Sequence, residues 1–296
     1  METVPAKHLL HRNRSTEWFG TDHTMNLYRG CCHGCLYCDS RSGCYRIERF
    51  DTVRVKADAL RIFRDDLARK VRPAFISMGS MSDPYNPFER ELELTRHALE
   101  LMDAYSCGAA IATKSPLITR DMDILASIQA HSPVICKLTV TTADDGLAAK
   151  LEPHAPPPSR RLAALGELSG AGLFAGVLLM PVLPFLEDSE EGVLAVVEGA
   201  AKAGARFVYP AFGVTMRQGQ REYFLDGLER AFPGQGLKER YLRRFGDRYW
   251  CASPRAGKLW QAFTAACQRS GILYDMKSII RAASLGYGDR QLTFFN

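Results

Sequence analysis

The chain has 296 residues, of which 46% are hydrophobic and 24% are charged, and these ordinary fractions exclude a disordered or fibrous protein. No apolar run approaches the roughly 20 residues that a membrane helix needs, and residues 1–14 lack the apolar core of a signal peptide. We therefore expect a cytoplasmic protein without a membrane partner. The net charge of +5 favours a polyanionic partner.

Short apolar runs alternate with amphipathic stretches from residue 24 to residue 210. The apolar runs predict strands, and apolar residues spaced by three and four predict helices between them. Six strand–helix units predict an α/β fold, a partial (β/α)6 TIM-like barrel with a parallel sheet. The predicted strands are 25–28, 74–78, 108–113, 134–140, 176–180 and 206–209, and the predicted helices are 57–70, 89–105, 121–130, 160–171 and 190–203.

Three regions follow from this pattern. Residues 1–23 are polar and basic and are interpreted as an N-terminal arm. Residues 24–210 form the predicted barrel, whose functional residues are expected at the carboxyl ends of its strands. Residues 211–296 are interpreted as a basic and aromatic C-terminal extension, mostly helical, with one helix predicted at 255–270.

The loop after the first predicted strand contains four of the nine cysteines. In a cytosolic chain such crowding indicates a metal site rather than disulfides. Cys31, Cys35 and Cys38 have the spacing C-x3-C-x2-C. Three thiolates from one loop can each bind one iron of a [4Fe–4S] cluster and leave the fourth iron open to a substrate.

Two other metal sites use the same loop. The triplet that starts at Cys32 begins the C-x2-C-x2-C run of a bacterial ferredoxin, but that run needs a further cysteine where this sequence has Ser42. A zinc knuckle that includes His33 lacks a second ligand pair at the usual spacing. The sequence therefore favours the triplet that starts at Cys31, which also has an aromatic residue directly before its last cysteine.

The pattern C-x3-C-x-aromatic-C after the first strand of a (β/α) barrel resembles the signature of the radical S-adenosylmethionine (SAM) superfamily. Further segments resemble its spore photoproduct lyase-like branch, whose members are often described as DNA repair photolyase-like. The resemblance covers roughly residues 25–184. The segments that carry it are 25–31, 38–41, 82–85 with Glu89, 113–114, and 152–153 with 161–162.

The resemblance implies that SAM binds the open iron through its amino and carboxylate groups. An electron from a flavodoxin or ferredoxin then cleaves SAM to methionine and a 5′-deoxyadenosyl radical, which takes a hydrogen atom from the substrate. Tyr37 is expected near the adenine, and Ser82 and Lys114 match positions that contact SAM. The predicted cofactor-binding residues are Tyr37, Ser80, Ser82, Lys114, Thr139 and Thr141.

One position departs from this branch. Authentic spore photoproduct lyases have a cysteine two residues before the Ser-Asp pair, and this thiol returns a hydrogen atom to the product radical. The present sequence has Ser80 there, and an O–H bond is too strong for the role. This departure argues against thymine-dimer lyase activity itself. Tyr85 and Cys251 are the alternative hydrogen donors, and nothing in the sequence selects either.

The C-terminal extension carries the charge excess. Residues 217–258 contain ten Lys or Arg and five Asp or Glu, with seven aromatic residues among them. Basic side chains follow phosphates and aromatic rings stack on extruded bases, so the segment favours nucleic acid. An amphipathic helix with a buried aromatic face and solvated arginines explains the same pattern equally well.

The last residues resemble a docking peptide. Bacterial DNA polymerases and repair proteins bind the sliding clamp through a peptide of roughly Gln-Leu-Ser/Asp-Leu-Phe, and a chain end reaches such a pocket freely. A last hydrophobic strand is the alternative. The residues of the predicted clamp peptide are Gln291, Leu292, Phe294 and Phe295.

The leading hypothesis is a radical SAM enzyme that acts on DNA, in lesion repair or processing. Two alternatives stay open from the sequence. One is a radical SAM enzyme that modifies RNA, a peptide or a small metabolite. The other is a non-catalytic iron–sulfur or zinc binding module.

Overall fold

The computed structural model describes residues 1–69 and 72–287. In chain order the strands β1 to β12 span Thr3–Val4, Leu10–Arg12, His23–Met25, Tyr28–Arg29, Arg54–Lys56, Phe75–Met78, Gly108–Thr113, Val134–Thr139, Ala175–Leu179, Phe207–Pro210, Gly213–Thr215 and Trp250–Ala252. The helices α1 to α11 span Ala59–Ala68, Glu89–Leu92, Leu94–Ala104, Met122–Gln129, Asp145–Leu151, Pro158–Gly170, Glu190–Lys202, Gln220–Ala231, Leu237–Phe245, Ala256–Arg269 and Met276–Ser284.

The main sheet has seven strands in the order β10-β9-β8-β7-β6-β3-β2. Six of these strands are parallel, namely β3, β6, β7, β8, β9 and β10, and β2 pairs with β3 in the antiparallel direction. Strands between two layers are buried on both faces and are mostly apolar. All six positions of β8 are buried, and four of them are apolar, the others being Lys137 and Thr139. The prediction of a partial barrel with six parallel strands is confirmed.

Side chains alternate between the two faces of this curved sheet. One face packs against helices α1, α3, α4, α6 and α7 in the largest hydrophobic core. On the inner face, Ile135 of β8 joins Phe19 and Phe207 in an apolar cluster. Further along the same face, Lys137 and Thr139 line a cavity. The inner face thus has an apolar end and an open end.

Two predicted element boundaries are wrong. The first strand was expected at residues 25–28, but β3 ends at Met25 and Tyr28 pairs with Val55 in a separate sheet. The chain leaves the barrel between them, where Asn26 accepts a hydrogen bond from the backbone N–H of Met81 at 3.3 Å. The helix expected at 89–105 is divided into α2 and α3, because Glu93 has a left-handed backbone conformation with φ of +48°.

The N-terminal segment contributes to the sheet. Strand β2 pairs with β3, so that Leu10 lies opposite Met25. Phe19 is fully buried in the apolar cluster inside the barrel. Residues 1–23, interpreted from the sequence as an arm, therefore supply part of the barrel interior.

The C-terminal extension packs against the cysteine loop and α7. Helices α8 and α9 form a second core with the loop residues Cys35, Leu36 and Tyr37, and α10 packs against α7. Strands β11 and β12 form a two-stranded antiparallel sheet beside this core. Among the helices in the described ranges, none combines the length and apolar character that crossing a bilayer demands.

Candidate active site

A cavity of about 460 Å³ lies at the carboxyl ends of the parallel strands, where functional sites of this fold class are found. The loops after β6 and β7 and the cysteine loop form its wall. The three thiols of Cys31, Cys35 and Cys38 line it together. Of the six predicted SAM-binding residues, five line the same cavity, namely Tyr37, Ser80, Ser82, Lys114 and Thr139.

Backbone contacts determine the path of the cysteine loop. Gly30 has φ of +85°, and a Cβ atom there would lie 2.5 Å from the carbonyl oxygen of Thr52, so only glycine fits. The backbone N–H of Cys31 donates to the carbonyl of Phe50 at 2.8 Å, and that of Leu36 donates to Leu151 at 2.9 Å. The loop is thereby attached to the barrel on two sides.

The donor set fits an iron–sulfur cluster. In residues 1–69 and 72–287, no three His, Cys, Asp or Glu side chains converge on a point where one metal ion would bind. A cubane does not require convergence, because each thiolate binds a different iron. Burial raises the pKa of Cys31 to about 12 and also raises the pKa of Cys35 and Cys38. Iron supplies the positive charge that holds such thiols deprotonated.

The two possible cysteine triplets differ only in their first cysteine, and the structure places Cys31 and Cys32 on different cavities. Cys32 does not line the cavity that contains the other three thiols; it lies beside Leu36 and Tyr223 on a second cavity behind the loop. His33, the ligand of the zinc alternative, is buried with its Nδ1 atom 3.6 Å from the carboxylate of Asp83. The structure therefore brings together the triplet that starts at Cys31.

Lys114 belongs to a network of buried charged side chains. Its ammonium lies 3.8 Å from the Glu152 carboxylate and 5.5 Å from the centroid of the Tyr37 ring. Glu152 also pairs with buried Arg161 and accepts a hydrogen bond from the Tyr37 hydroxyl. Burial alone would raise the pKa of Glu152. The positive charges of Lys114 and Arg161 lower this pKa by more than burial raises it, so the net shift is downward. The network therefore holds Lys114 charged and orients Tyr37.

Asp83 connects the loop after β6 to the end of β7. Its carboxylate accepts hydrogen bonds from the Thr113 hydroxyl at 2.6 Å and from the backbone N–H of Lys114 at 2.8 Å. It also accepts from the backbone N–H of Tyr85 at 2.8 Å. These three contacts place Ser82 and Lys114 on the same wall of the cavity.

Gly79 directly follows β6, at a point where the ends of β6 and β7 approach closely. It has φ of +92°, and a Cβ atom would lie 2.0 Å from the carbonyl oxygen of Ala112. We expect Gly79→Ala to lower the free energy of unfolding by at least about 1–3 kcal/mol, from backbone strain alone. Urea titration measures this loss. Gly166→Ala is the control, because nothing lies within 4 Å of the corresponding position on α6. Equal stability of the two variants would contradict the close approach.

Three predicted residues lie away from the cavity wall. Tyr85, an alternative hydrogen donor, is buried in the main core with its hydroxyl near Asp121. Cys251 is fully buried in the core of the extension, with its thiol 3.7 Å from the carbonyl of Arg248. Thr141 is buried near Glu187. We therefore do not retain Tyr85 or Cys251 as hydrogen donors, or Thr141 as a direct contact of SAM.

The structure adds residues that the sequence did not assign to the active-site cavity. Trp18 and Trp250 line the cavity and are 42% and 44% exposed, so they lie at its mouth. Lys137 lines the inner part of the cavity. Glu187 is buried near Glu152, and burial raises its pKa to about 8. A Lys at an inward position of β8 and a Trp after a basic helix were the available signals.

The predicted clamp peptide, with Gln291, Leu292, Phe294 and Phe295, lies outside the described residues.

A family model described as the radical SAM superfamily matches residues 25–197, more than half of the chain. The chain belongs to the radical SAM superfamily. This membership confirms the predicted pair of cofactors, a [4Fe–4S] cluster and SAM.

Relatives of this radical SAM protein occur in distant organisms. An uncharacterized protein of Mycobacterium tuberculosis is 32% identical over 231 residues, which cover 76% of this chain and 68% of the relative. An uncharacterized protein of Methanocaldococcus jannaschii is 30% identical over 195 residues, covering 65% of this chain and 71% of the relative.

Solved structures share its fold. Spore photoproduct lyase, complexed with a dinucleoside spore photoproduct, superimposes with a TM-score of 0.67 at 15% identity, covering 92% of this chain and 81% of the lyase. The radical SAM methyltransferase TsrM of Kitasatospora setae superimposes with a TM-score of 0.57 at 12% identity, covering 95% of this chain and 63% of the methyltransferase. At such low identity the likeness establishes the fold alone.

Proposed function

We propose that this radical SAM protein is an enzyme that cleaves SAM reductively and uses the 5′-deoxyadenosyl radical on DNA, in lesion repair or processing. One observation supports the chemistry above all others. The thiols of Cys31, Cys35 and Cys38 and the ammonium of Lys114 line one cavity, which continues inward past Thr139 to Lys137. A single cavity thus offers a cluster site, a SAM site and further room for a substrate group.

Each residue of the wall has a proposed role. Cys31, Cys35 and Cys38 would hold the cluster, which when bound supplies the electron that cleaves the SAM sulfonium. Lys114 is a fixed cation suited to the carboxylate or ribose oxygens of SAM. The ring of Tyr37 is held by Glu152 on the same wall and is suited to the adenine. The site would therefore bind both ends of SAM with groups that are already in place.

Three features support DNA as the substrate. Trp18 and Trp250 at the cavity mouth offer exposed rings on which a base can stack. Arg243 and Arg244 of α9 are exposed, and neither forms an ion pair in the described part of the chain. The structurally similar spore photoproduct lyase binds a dinucleoside photoproduct. Four of the seven aromatic residues in 217–258 are buried, as the amphipathic-helix alternative expects. The support for DNA therefore comes from the two exposed Trp and the two exposed arginines.

The hydrogen-atom donor distinguishes the proposed reaction from that of spore photoproduct lyase. Among the described residues, the thiols on the cavity wall are the three proposed cluster ligands. Ser80 lines the cavity, where its hydroxyl lies 3.3 Å from the amide nitrogen of Asn26. We infer that the product radical is not quenched by a cysteine of this cavity.

The test of radical chemistry uses anaerobically reconstituted protein, dithionite and SAM, with a panel of damaged and undamaged oligonucleotides in deuterated solvent. We expect 5′-deoxyadenosine to form, and to form faster with an oligonucleotide that is a substrate. The position of any deuterium in the product reports the hydrogen donor. Absence of 5′-deoxyadenosine from cluster-loaded protein would refute the enzymatic proposal.

DNA binding is tested separately by Arg243→Gln combined with Arg244→Gln. Each phosphate contact contributes about 0.9 to the slope of log affinity against log salt, so we expect the slope to fall by about 1 to 2. Electrophoretic mobility shifts across salt concentrations measure it. The control combines Arg269→Gln with Arg281→Gln, which removes two exposed charges from α10 and α11. Equal slopes for both double variants would place the DNA elsewhere.

A further inference from the structure

Lys137 is a buried lysine for which the described part of the chain provides no counter-charge. Its side chain is 1% exposed, and it lines the inner part of the cavity. No carboxylate pairs with it and no hydrogen bond to its ammonium occurs in residues 1–69 and 72–287. Its Nζ lies over the face of the Phe19 ring, 4.6 Å from the ring centroid. A lysine in such surroundings is rare, because burying an unpaired charge is costly.

The other lysine of the cavity shows the contrast. Lys114 lies 3.8 Å from Glu152, which is also paired with Arg161. The described residues thus supply a carboxylate for the Lys114 ammonium and none for the Lys137 ammonium. Burial lowers the pKa of Lys137 to about 7, with only the neighbouring Cys136 acting in the opposite direction. An oxygen atom that enters the cavity would therefore give the Lys137 amine a hydrogen-bond acceptor that the described residues do not provide.

The position of Lys137 separates it from the proposed SAM site. It lies two residues before Thr139 on β8, which is roughly 6–7 Å deeper along the strand. Ala112 and Leu178, on the two neighbouring strands, form apolar walls of the cavity near it. Phe19 is held beneath it in a strained left-handed conformation with φ of +51°, and such strain is concentrated at functional positions.

We propose that Lys137 is a substrate-binding residue, whose Nζ donates a hydrogen bond to an oxygen of the group that enters the inner cavity. The oxygen is a carbonyl oxygen of a nucleobase or an anionic oxygen of a metabolite, since both are strong acceptors. This inference rests on the proposed function only in taking the cavity as the place where substrate meets the radical. It names the atom of the substrate that the cavity recognises.

The test begins with Lys137→Met, which keeps an unbranched apolar stem and removes the charge. Because an unpaired buried cation is removed, we expect the thermal midpoint to stay equal or rise, as happens where a site sacrifices stability for function. Lys277→Met, on the exposed surface of α11, is the matched control. A lowered midpoint for Lys137→Met alone would mean that Lys137 has a structural role over Phe19, and would overturn the proposal.

The second measurement is ligand-detected NMR on cluster-loaded protein with SAM, using thymidine and inorganic phosphate as separate probes. We expect wild type and Lys277→Met to bind one probe, and Lys137→Met to bind it at least about tenfold more weakly. A loss with thymidine identifies a nucleobase carbonyl, and a loss with phosphate identifies an anionic group. Equal binding by Lys137→Met, no binding of either probe by wild type, or weakened binding of SAM itself would each overturn the proposal.

The two proposals fail in different ways. Wild-type protein that forms no 5′-deoxyadenosine refutes the proposed function, whereas the probe titrations still decide the role of Lys137. Protein that forms 5′-deoxyadenosine but binds the probes without help from Lys137 refutes only the present inference.

Discussion

Replacing Cys31 by alanine is expected to lower 5′-deoxyadenosine formation by more than about 100-fold, since loss of even an outer partner of a metal ligand costs 10–100-fold. Only three thiols line the described part of the cavity wall, so the variant keeps two and cannot hold three irons of a cubane through protein thiolates. Iron and sulfide analysis after anaerobic reconstitution measures the cluster. Chromatography of the reaction measures the nucleoside.

Cys32→Ala is the matched control, because the two cysteines are adjacent in the chain. Cys32 lies on the second cavity behind the loop, beside Leu36 and Tyr223. This variant is expected to keep wild-type iron content and activity. If Cys32→Ala lost the cluster while Cys31→Ala kept it, the ferredoxin-type triplet would be the ligand set instead.

The largest expected effect on stability comes from Glu152→Gln. Glutamine is of nearly the same size but neutral, so Arg161 would be left buried without a full counter-charge and Lys114 would lose its partner. Breaking a buried ion pair in this way costs about 3–5 kcal/mol of the free energy of unfolding. Urea titration of the cluster-free variant and wild type measures the difference. We also expect weaker SAM binding, because Glu152 orients both Lys114 and Tyr37.

An exposed glutamate provides the comparison for this change. Glu100 pairs with Arg96 at 3.4 Å, but its side chain is 44% exposed, so Glu100→Gln should cost at most about 1 kcal/mol. A loss of similar size in the two variants would show that Glu152 is not the centre of a buried network.

The fold was predictable because its evidence is local. The apolar runs at 108–113 and 134–140 agree closely with β7 and β8, since a strand that is buried on both faces has few polar residues. The break at Glu93 was not predictable, because the residues around it favour a continuous helix. Its left-handed conformation allows the backbone N–H of Thr95 to reach the Glu89 carboxylate at 2.9 Å. That carboxylate is held in place by Tyr28 and Arg120, which are distant in the chain.

The candidate site was likewise predictable from the sequence only in part. The three cysteines share one loop, so their spacing alone predicted the group. Lys114, Glu152 and Tyr37 are far apart in the chain, and only the resemblance to a known branch connected them before the structure placed them together. Lys137 is the single charged residue of the strand predicted at 134–140. Its role depends on which face of β8 is inward and on the lack of a carboxylate beside it among residues 1–69 and 72–287, and the strand alone encodes neither.

The contact between the C-terminal extension and the cysteine loop has a consequence for the order of assembly. Gln220 of α8 donates to the backbone carbonyl of Tyr37 at 2.9 Å, and Gly227 packs against Leu36. During synthesis the barrel strands leave the ribosome first, and α8 and α9 follow. Until they do, one side of the loop is uncovered and its apolar residues face water. We therefore expect iron to reach the thiols most easily before residues 211–296 have packed against the loop.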